Sequence, residues 1–230
     1  MIHNIWILTK KDYKEILVNP IQLLIIVGYL IFFNFLPLID SLFRDQSSLN
    51  TTLFSVGVSA LFPIFNISIQ AFSRERKNRV LDLLMVKISP ITICMNKLLT
   101  SLSMSLIFAV VSLLFQAILN KIFFPGRFDI LQYLIDSNLF LLTFKLILPI
   151  ILLISLFGVL IAVFLPDNIR MYGYAVILIV VFGSFRLLIN QEYNILTNNS
   201  LWIPITLWLV CFLPLSIILF VVDKERMLKG

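Results

Sequence analysis

Along this chain, long apolar blocks alternate with short charged ones. Six blocks stand out: Ile21 to Leu38, Leu53 to Phe72, Leu98 to Leu119, Leu139 to Leu165, Met171 to Ile189 and Leu201 to Val222. A helix needs roughly 20 apolar residues to cross about 30 Å of hydrocarbon, because backbone groups there are satisfied only within the segment. The pattern predicts an all-α, polytopic membrane protein with six transmembrane helices, in one domain over residues 1–230. Charged, Pro/Gly or polar stretches mark the breaks: Asp40 with Arg44 and Asp45, the segment Ser73 to Lys97, Pro125 to Arg127, Pro166 with Asp167, and Gln191 to Ser200.

The 60% hydrophobic and 13% charged residues and the mean hydropathy of +1.03 set the chain apart from soluble domains. The net charge of +6 does not point to nucleic acid, since the basic residues sit in short segments between apolar blocks. Lys10, Lys11, Lys14, Arg74, Arg76, Lys77, Arg79, Lys87, Lys97, Arg170, Lys224, Arg226 and Lys229 fall on one side of the predicted spans; Arg44, Lys121 and Arg127 fall on the other. The positive-inside bias places both termini in the cytoplasm of a plasma membrane. The residues before Asn19 lack a signal peptide's apolar core.

Several chemistries find no residues to carry them. Every Asp and Glu lies outside the spans, which removes the usual groups for proton or sodium coupling. His3 is the sole histidine, and Cys94 and Cys211 stand apart without metal-ligand spacing. No GxxxxGK[ST] or GxGxxG occurs. The chain therefore offers no catalytic, metal or nucleotide site of its own, and energy for uphill transport must enter from another polypeptide.

The segment Ser73 to Lys97 is the longest inner connection. Val80, Leu83, Leu84 and Lys87 share one helical face by their spacing. Two readings are open: a charged loop that fixes topology, or a helix that docks in a groove on a cytoplasmic partner. The segment resembles the stretch after the second span in ABC-type exporter permeases of the drug, peptide and polysaccharide class. The likeness rests on Arg74, Glu75, Arg76 and Lys77, then Leu83 and Leu84, then the bend at Ser89 and Pro90, and finally Lys97 opening the third span. Departures are Asn78 and Asn96 where the family favours glycine, and Lys87 where it favours proline. Asn78 suits a left-handed turn.

The opening stretch, Ile5 to Pro20, resembles the same family's elbow helix on the inner membrane surface. Ile5, Trp6, Leu8, Ile16 and Leu17 supply apolar contacts and Lys10, Lys11 and Lys14 headgroup contacts. The resemblance implies a permease paired with a second copy or a sister permease, in membrane lipid, and with separate ATP-binding cassette subunits that carry ATP and Mg. It further implies a coupling role for Arg74 to Pro90, with Arg74, Glu75, Arg76 and Asp82 orienting the partner and Leu83 and Leu84 as buried anchors. Amphipathic peptides and lipophilic drugs are the leading cargo classes. The alternative is a non-transporting immunity, scaffold or sensor protein of permease-like architecture.

Polar residues within the spans form two stripes. Ser55, Ser59, Asn66 and Gln70 fall within an arc of roughly 60° at about 100° per residue, and Ser101, Ser105, Ser112 and Gln116 repeat the spacing. Such stripes either join helices by hydrogen bonds or line a substrate path. Lys145 either snorkels to the outer surface or attracts an anionic or amphipathic substrate. Pro63, Pro149 and Pro214 either shape the bundle or act as hinges.

Overall fold

A computed structural model describes residues 2–44, 56–61, 64, 72–123, 148–166, 169, 172–173, 175–176, 179 and 202–223. Among these residues the regular structure is entirely helical: α1 (Ile2–Val18), α2 (Pro20–Arg44), α3 (Phe72–Lys77), α4 (Val80–Lys87), α5 (Pro90–Phe123), α6 (Leu148–Phe164) and α7 (Trp202–Val221). Residues 56–61 are helical as well. One described helix, α5, is long and apolar enough to cross a membrane, and shorter apolar helices cover Leu23–Phe35, Leu148–Phe164 and Ile205–Val221.

Two boundaries differ from the sequence expectation. The first span was expected to end at Leu38, yet α2 continues to Arg44. Backbone hydrogen bonding propagates a helix residue by residue beyond its apolar stretch. The third span was expected to open at Leu98, with Ser89 and Pro90 forming a bend before it. Instead Pro90 is the first residue of a 34-residue helix. Its fixed φ and missing N–H suit that position. Ser89 caps the helix: its Oγ accepts from the Thr92 N–H at 3.4 Å and lies 2.7 Å from Thr92 Oγ1. The bend is confined to the extended Ile88 and to Ser89. At 1.5 Å per residue α5 spans about 51 Å, longer than the roughly 30 Å of a bilayer's hydrocarbon core.

Side-chain pairings give the helix directions. Asn34 meets Ser112 and Gln116 while Tyr13, just before α2, meets Ser103, so α2 runs parallel to α5. Ser59 lies near Ser112 of α5, and Phe72, which opens α3, lies near Lys97 of α5. The Cys211 thiol lies 3.5 Å from the Pro149 carbonyl oxygen. Further along, Ile218 and Val222 share a core with Leu156, Val159 and Val163, so α6 and α7 run parallel. Gly173 lies close beside Leu165 and Ile161 at the end of α6.

One core joins Phe72, Leu81, Met85, Ile93 and Leu98 to the C-terminal ends of α6 and α7. A second, further up, packs Val56, Ala60, Leu61 and Ile64 against Ala109, Ile151, Ile154 and Ile161. The long helix wears its polarity inward: Thr100, Ser101, Ser105, Ser112 and Gln116 are buried, whereas Leu106, Ile107, Val110, Val111, Leu114, Ile118 and Ile122 are exposed. α7 likewise exposes Leu209, Phe212, Leu213 and Phe220. Apolar exposure on this scale exceeds what a water-soluble monomer usually shows.

Candidate functional site

The site lies where α1, α3, α4 and the first turns of α5 converge with the ends of α6 and α7. The chain reverses between α3 and α4 at Asn78 and Arg79. Asn78 N–H donates to Arg74 O and Arg79 N–H to Arg76 O, both at 3.0 Å. The left-handed residue of this turn is Arg79, at φ 56°, and not Asn78, whose side chain suited that geometry.

α4 turns Leu81 and Met85 into the core, with Leu84 and Ile88 packed beside them. Leu83 and Val86 face outward at 73% and 74% exposure, accompanied by exposed Asp82 and Lys87. The spacing had put Val80, Leu83, Leu84 and Lys87 on one face; that face straddles the boundary between core and surface. Apolar residues surround α4, and periodicity alone does not choose which of them the bundle takes.

Above α4 lies a buried cluster of charges. Lys97, about 1% exposed, donates from Nζ to Asp12 Oδ1 at 2.8 Å and to Glu75 Oε1 at 2.9 Å. Lys11 Nζ donates to the same Glu75 oxygen at 3.0 Å. The cluster continues through Lys11 to Glu15 at 3.6 Å and from Glu15 to Arg74 at 2.6 Å. On the other side Asn96 Nδ2 donates to Asp12 Oδ2 at 2.9 Å, and Thr9 Oγ1 lies 2.7 Å from Asn96 Oδ1. Lys11, Lys97 and Arg74 balance Asp12, Glu15 and Glu75. Three elements distant in sequence are thereby tied at one point, with Lys97 as the shared cation.

Burial pushes the Glu75 carboxyl upward, but the charges of Lys97 and Lys11 and their hydrogen bonds outweigh it and hold Glu75 below the usual carboxylate value. At Asp12 burial prevails: Lys97 offsets it only in part, Glu75 adds repulsion, and the carboxyl is raised. A depressed carboxyl contributes stability above its ordinary value, 4.5 for Glu75, which is lost as pH falls through the lower folded value. A raised one favours folding below its ordinary value, 3.8 for Asp12, and that preference is lost as pH rises through the higher folded value. Glu75→Gln should therefore destabilise the protein more than Asp12→Asn at about pH 7, and the gap should close on acidification below 4.5. Thermal unfolding of both variants across that range checks the order; the reverse order at neutral pH would contradict it.

The expected coupling residues thus divide into two groups. Glu75 and Lys97 are interior, and Arg74 is paired with Glu15. Arg76 Nη2 reaches the Ala162 carbonyl oxygen at 3.4 Å, tying α3 to α6. Lys77, Asp82, Leu83 and Lys87 remain on the outside, joined by Arg79. Asp12 and Asn34 were not singled out from the sequence. Asp12 sits among lysines on a helix read as headgroup-facing, and Asn34 is a polar residue in the interior of an apolar block.

The polar stripes meet each other. Ser112 Oγ donates to Asn34 Oδ1 at 2.6 Å and lies 3.2 Å from Ser59 Oγ; Gln116 Nε2 donates to Asn34 Oδ1 at 2.8 Å. Ser101 bonds back to Leu98 O at 2.9 Å, and Ser105 Oγ finds no partner among the described residues. Ser55, Asn66, Gln70, Lys145 and Pro63 lie outside the described residues. Ser59, Ser112 and Gln116 thus join helices, whereas Ser101 and Ser105 do not hydrogen-bond across to another described helix. Asn34→Leu should cost about 1–3 kcal/mol by stranding the Ser112 and Gln116 donors, read as a lowered unfolding temperature in detergent; an unchanged temperature would remove that role.

Among the described residues no group of three His, Cys, Asp or Glu side chains is arranged to hold a metal ion. The charge-balanced cluster offers no free nucleophile and acts as a joint between helices. Comparison with protein-family models, with curated proteins and with solved structures returned no match for this chain.

Proposed function

We propose that this chain is the membrane-spanning permease of an ATP-driven, ABC-type exporter, with six spans and both ends in the cytoplasm. The observation that carries the reading is α4. It exposes Leu83 and Val86 on one side while Leu81 and Met85 root the other side in the core shared by α5, α6 and α7. A short helix with apolar anchors outward and a rigid base suits force transfer from a docked partner. The charge cluster supports this by tying the same hairpin to α1 and α5.

The six-span topology is supported by the directions of α2, α5, α6 and α7 and by the close approach of Gly173 to Leu165. Within this reading Leu83 and Val86 anchor an ATP-binding cassette subunit, and Lys77, Arg79, Asp82 and Lys87 set its orientation. ATP and Mg belong to that subunit. A second permease copy or a sister permease completes the transporter, and amphipathic peptides or lipophilic drugs are its cargo. Ser59, Ser112 and Gln116 are engaged between helices, which favours a cargo path along the surface between two permeases over one through that part of the bundle.

The test is a complex purified from membranes and reconstituted in liposomes. ATP-dependent movement of an amphipathic peptide or lipophilic drug, with ATPase stimulation by the same compound, is expected. A chain that associates with no nucleotide-binding subunit would instead support the immunity, scaffold or sensor reading.

A further inference from the structure

Lys10, Lys11 and Lys14 are alike in sequence but not in the fold. Lys11 is spent on Glu75 and Glu15, while Lys10 and Lys14 are exposed. Among the described side chains of α1 the other strongly exposed ones are Trp6, Ile7, Leu17 and Val18. At about 100° per residue these six positions fall within an arc of roughly 120°, opposite buried Leu8 and Asp12. Aromatic and aliphatic groups stand at both ends of this face, with the two ammonium groups between them.

The depth of α1 can be read from its neighbour. Thr9 and Tyr13 contact Asn96 and Ser103 of α5. That stretch of α5 holds the buried Asn96 and Lys97, and its outward residues from Leu99, 45% exposed, through Leu106, Ile107 and Val110 are apolar. α1 therefore packs beside the end of α5 that carries the buried charges, next to the start of its exposed apolar surface. Its own exposed face continues into exposed Ile21, Leu24 and Ile25 of α2.

We infer that Lys10 and Lys14, flanked by Trp6, Ile7, Leu17 and Val18, form a binding site for the phosphate of anionic phospholipid headgroups at the cytoplasmic surface. Apolar groups sink to the level of the acyl chains and the ammonium groups meet phosphate oxygens, the arrangement by which interfacial helices prefer anionic membranes. The inference rests on the membrane placement proposed above but not on transport; a non-transporting membrane protein would hold lipid in the same way. A basic side chain at an anionic surface supplies about a five-fold preference, so the pair supplies on the order of thirty-fold.

The test uses the full chain in nanodiscs of phosphatidylcholine with a minor fraction of phosphatidylglycerol. Lipid retained after transfer to detergent is counted by mass spectrometry. Enrichment of phosphatidylglycerol is expected, and Lys10→Gln/Lys14→Gln should reduce it at least several-fold without changing the unfolding temperature. Lys11→Gln should instead lower the unfolding temperature and leave the enrichment in place. No enrichment, or enrichment indifferent to Lys10 and Lys14, overturns the site. A chain that does not enter nanodiscs refutes the membrane placement, whereas loss of ATPase association with lipid retention intact refutes only the exporter reading.

Discussion

Replacing Lys97 with methionine is expected to cost about 3–5 kcal/mol, the usual penalty for removing one partner from a buried ion pair. The substitution preserves volume but leaves the Asp12 and Glu75 carboxylates facing each other without their shared cation. Lys11 can still neutralise Glu75, since both lysines use the same oxygen, so the unrelieved charge falls mainly on Asp12. Adding Asp12→Leu to Lys97→Met should consequently restore part of the loss, because removing both charges ends the desolvation penalty. Unfolding temperatures of the single and double variants in detergent check this. A single variant as stable as the wild type would mean that the cluster does not join the helices.

Leu83→Glu has the second large effect and leaves the fold alone. The side chain is exposed, so its substitution should leave the unfolding temperature nearly unchanged. An anchor buried in a partner's groove contributes at least about 2 kcal/mol, and its loss weakens the complex by about thirty-fold or more. Leu81→Ala makes the contrast: Leu81 is in the core, and a cavity there costs about 2–5 kcal/mol of stability. Partner affinity together with unfolding temperature separates the two faces of α4. Undiminished binding of an ATPase subunit by Leu83→Glu would remove α4 from the interface.

The helical class was legible because long apolar blocks show themselves by composition, whereas two helix ends, Arg44 and Pro90, lie in stretches whose charged or bend-forming residues read as breaks. The Ser73 to Lys97 hairpin was legible as a charged break with a short helix inside it. What composition could not show was which charges face inward. Lys97 and Asp12 are 85 positions apart, and nothing local distinguishes Lys97 from a lysine that snorkels to water. Glu75 sits between two arginines in a run that reads as wholly solvated. Asn34 carried a usable signal, since an amide deep inside an apolar block belongs between helices. The left-handed position moved from Asn78 to Arg79 because turn geometry, fixed by where α3 and α4 must pack, overrides side-chain preference by one residue.

The measurement bearing most directly on the exporter reading is site-specific cross-linking from position 83. A photo-reactive residue replacing Leu83 is activated in intact membranes, and the captured polypeptide is identified by its ability to bind ATP. Capture of an ATP-binding subunit is expected, with a yield that changes between ATP-bound and ATP-free states and falls when Val86→Glu is added. Lipid adducts alone, or capture of no ATP-binding protein in either state, would contradict the proposal that α4 receives the stroke of an external motor.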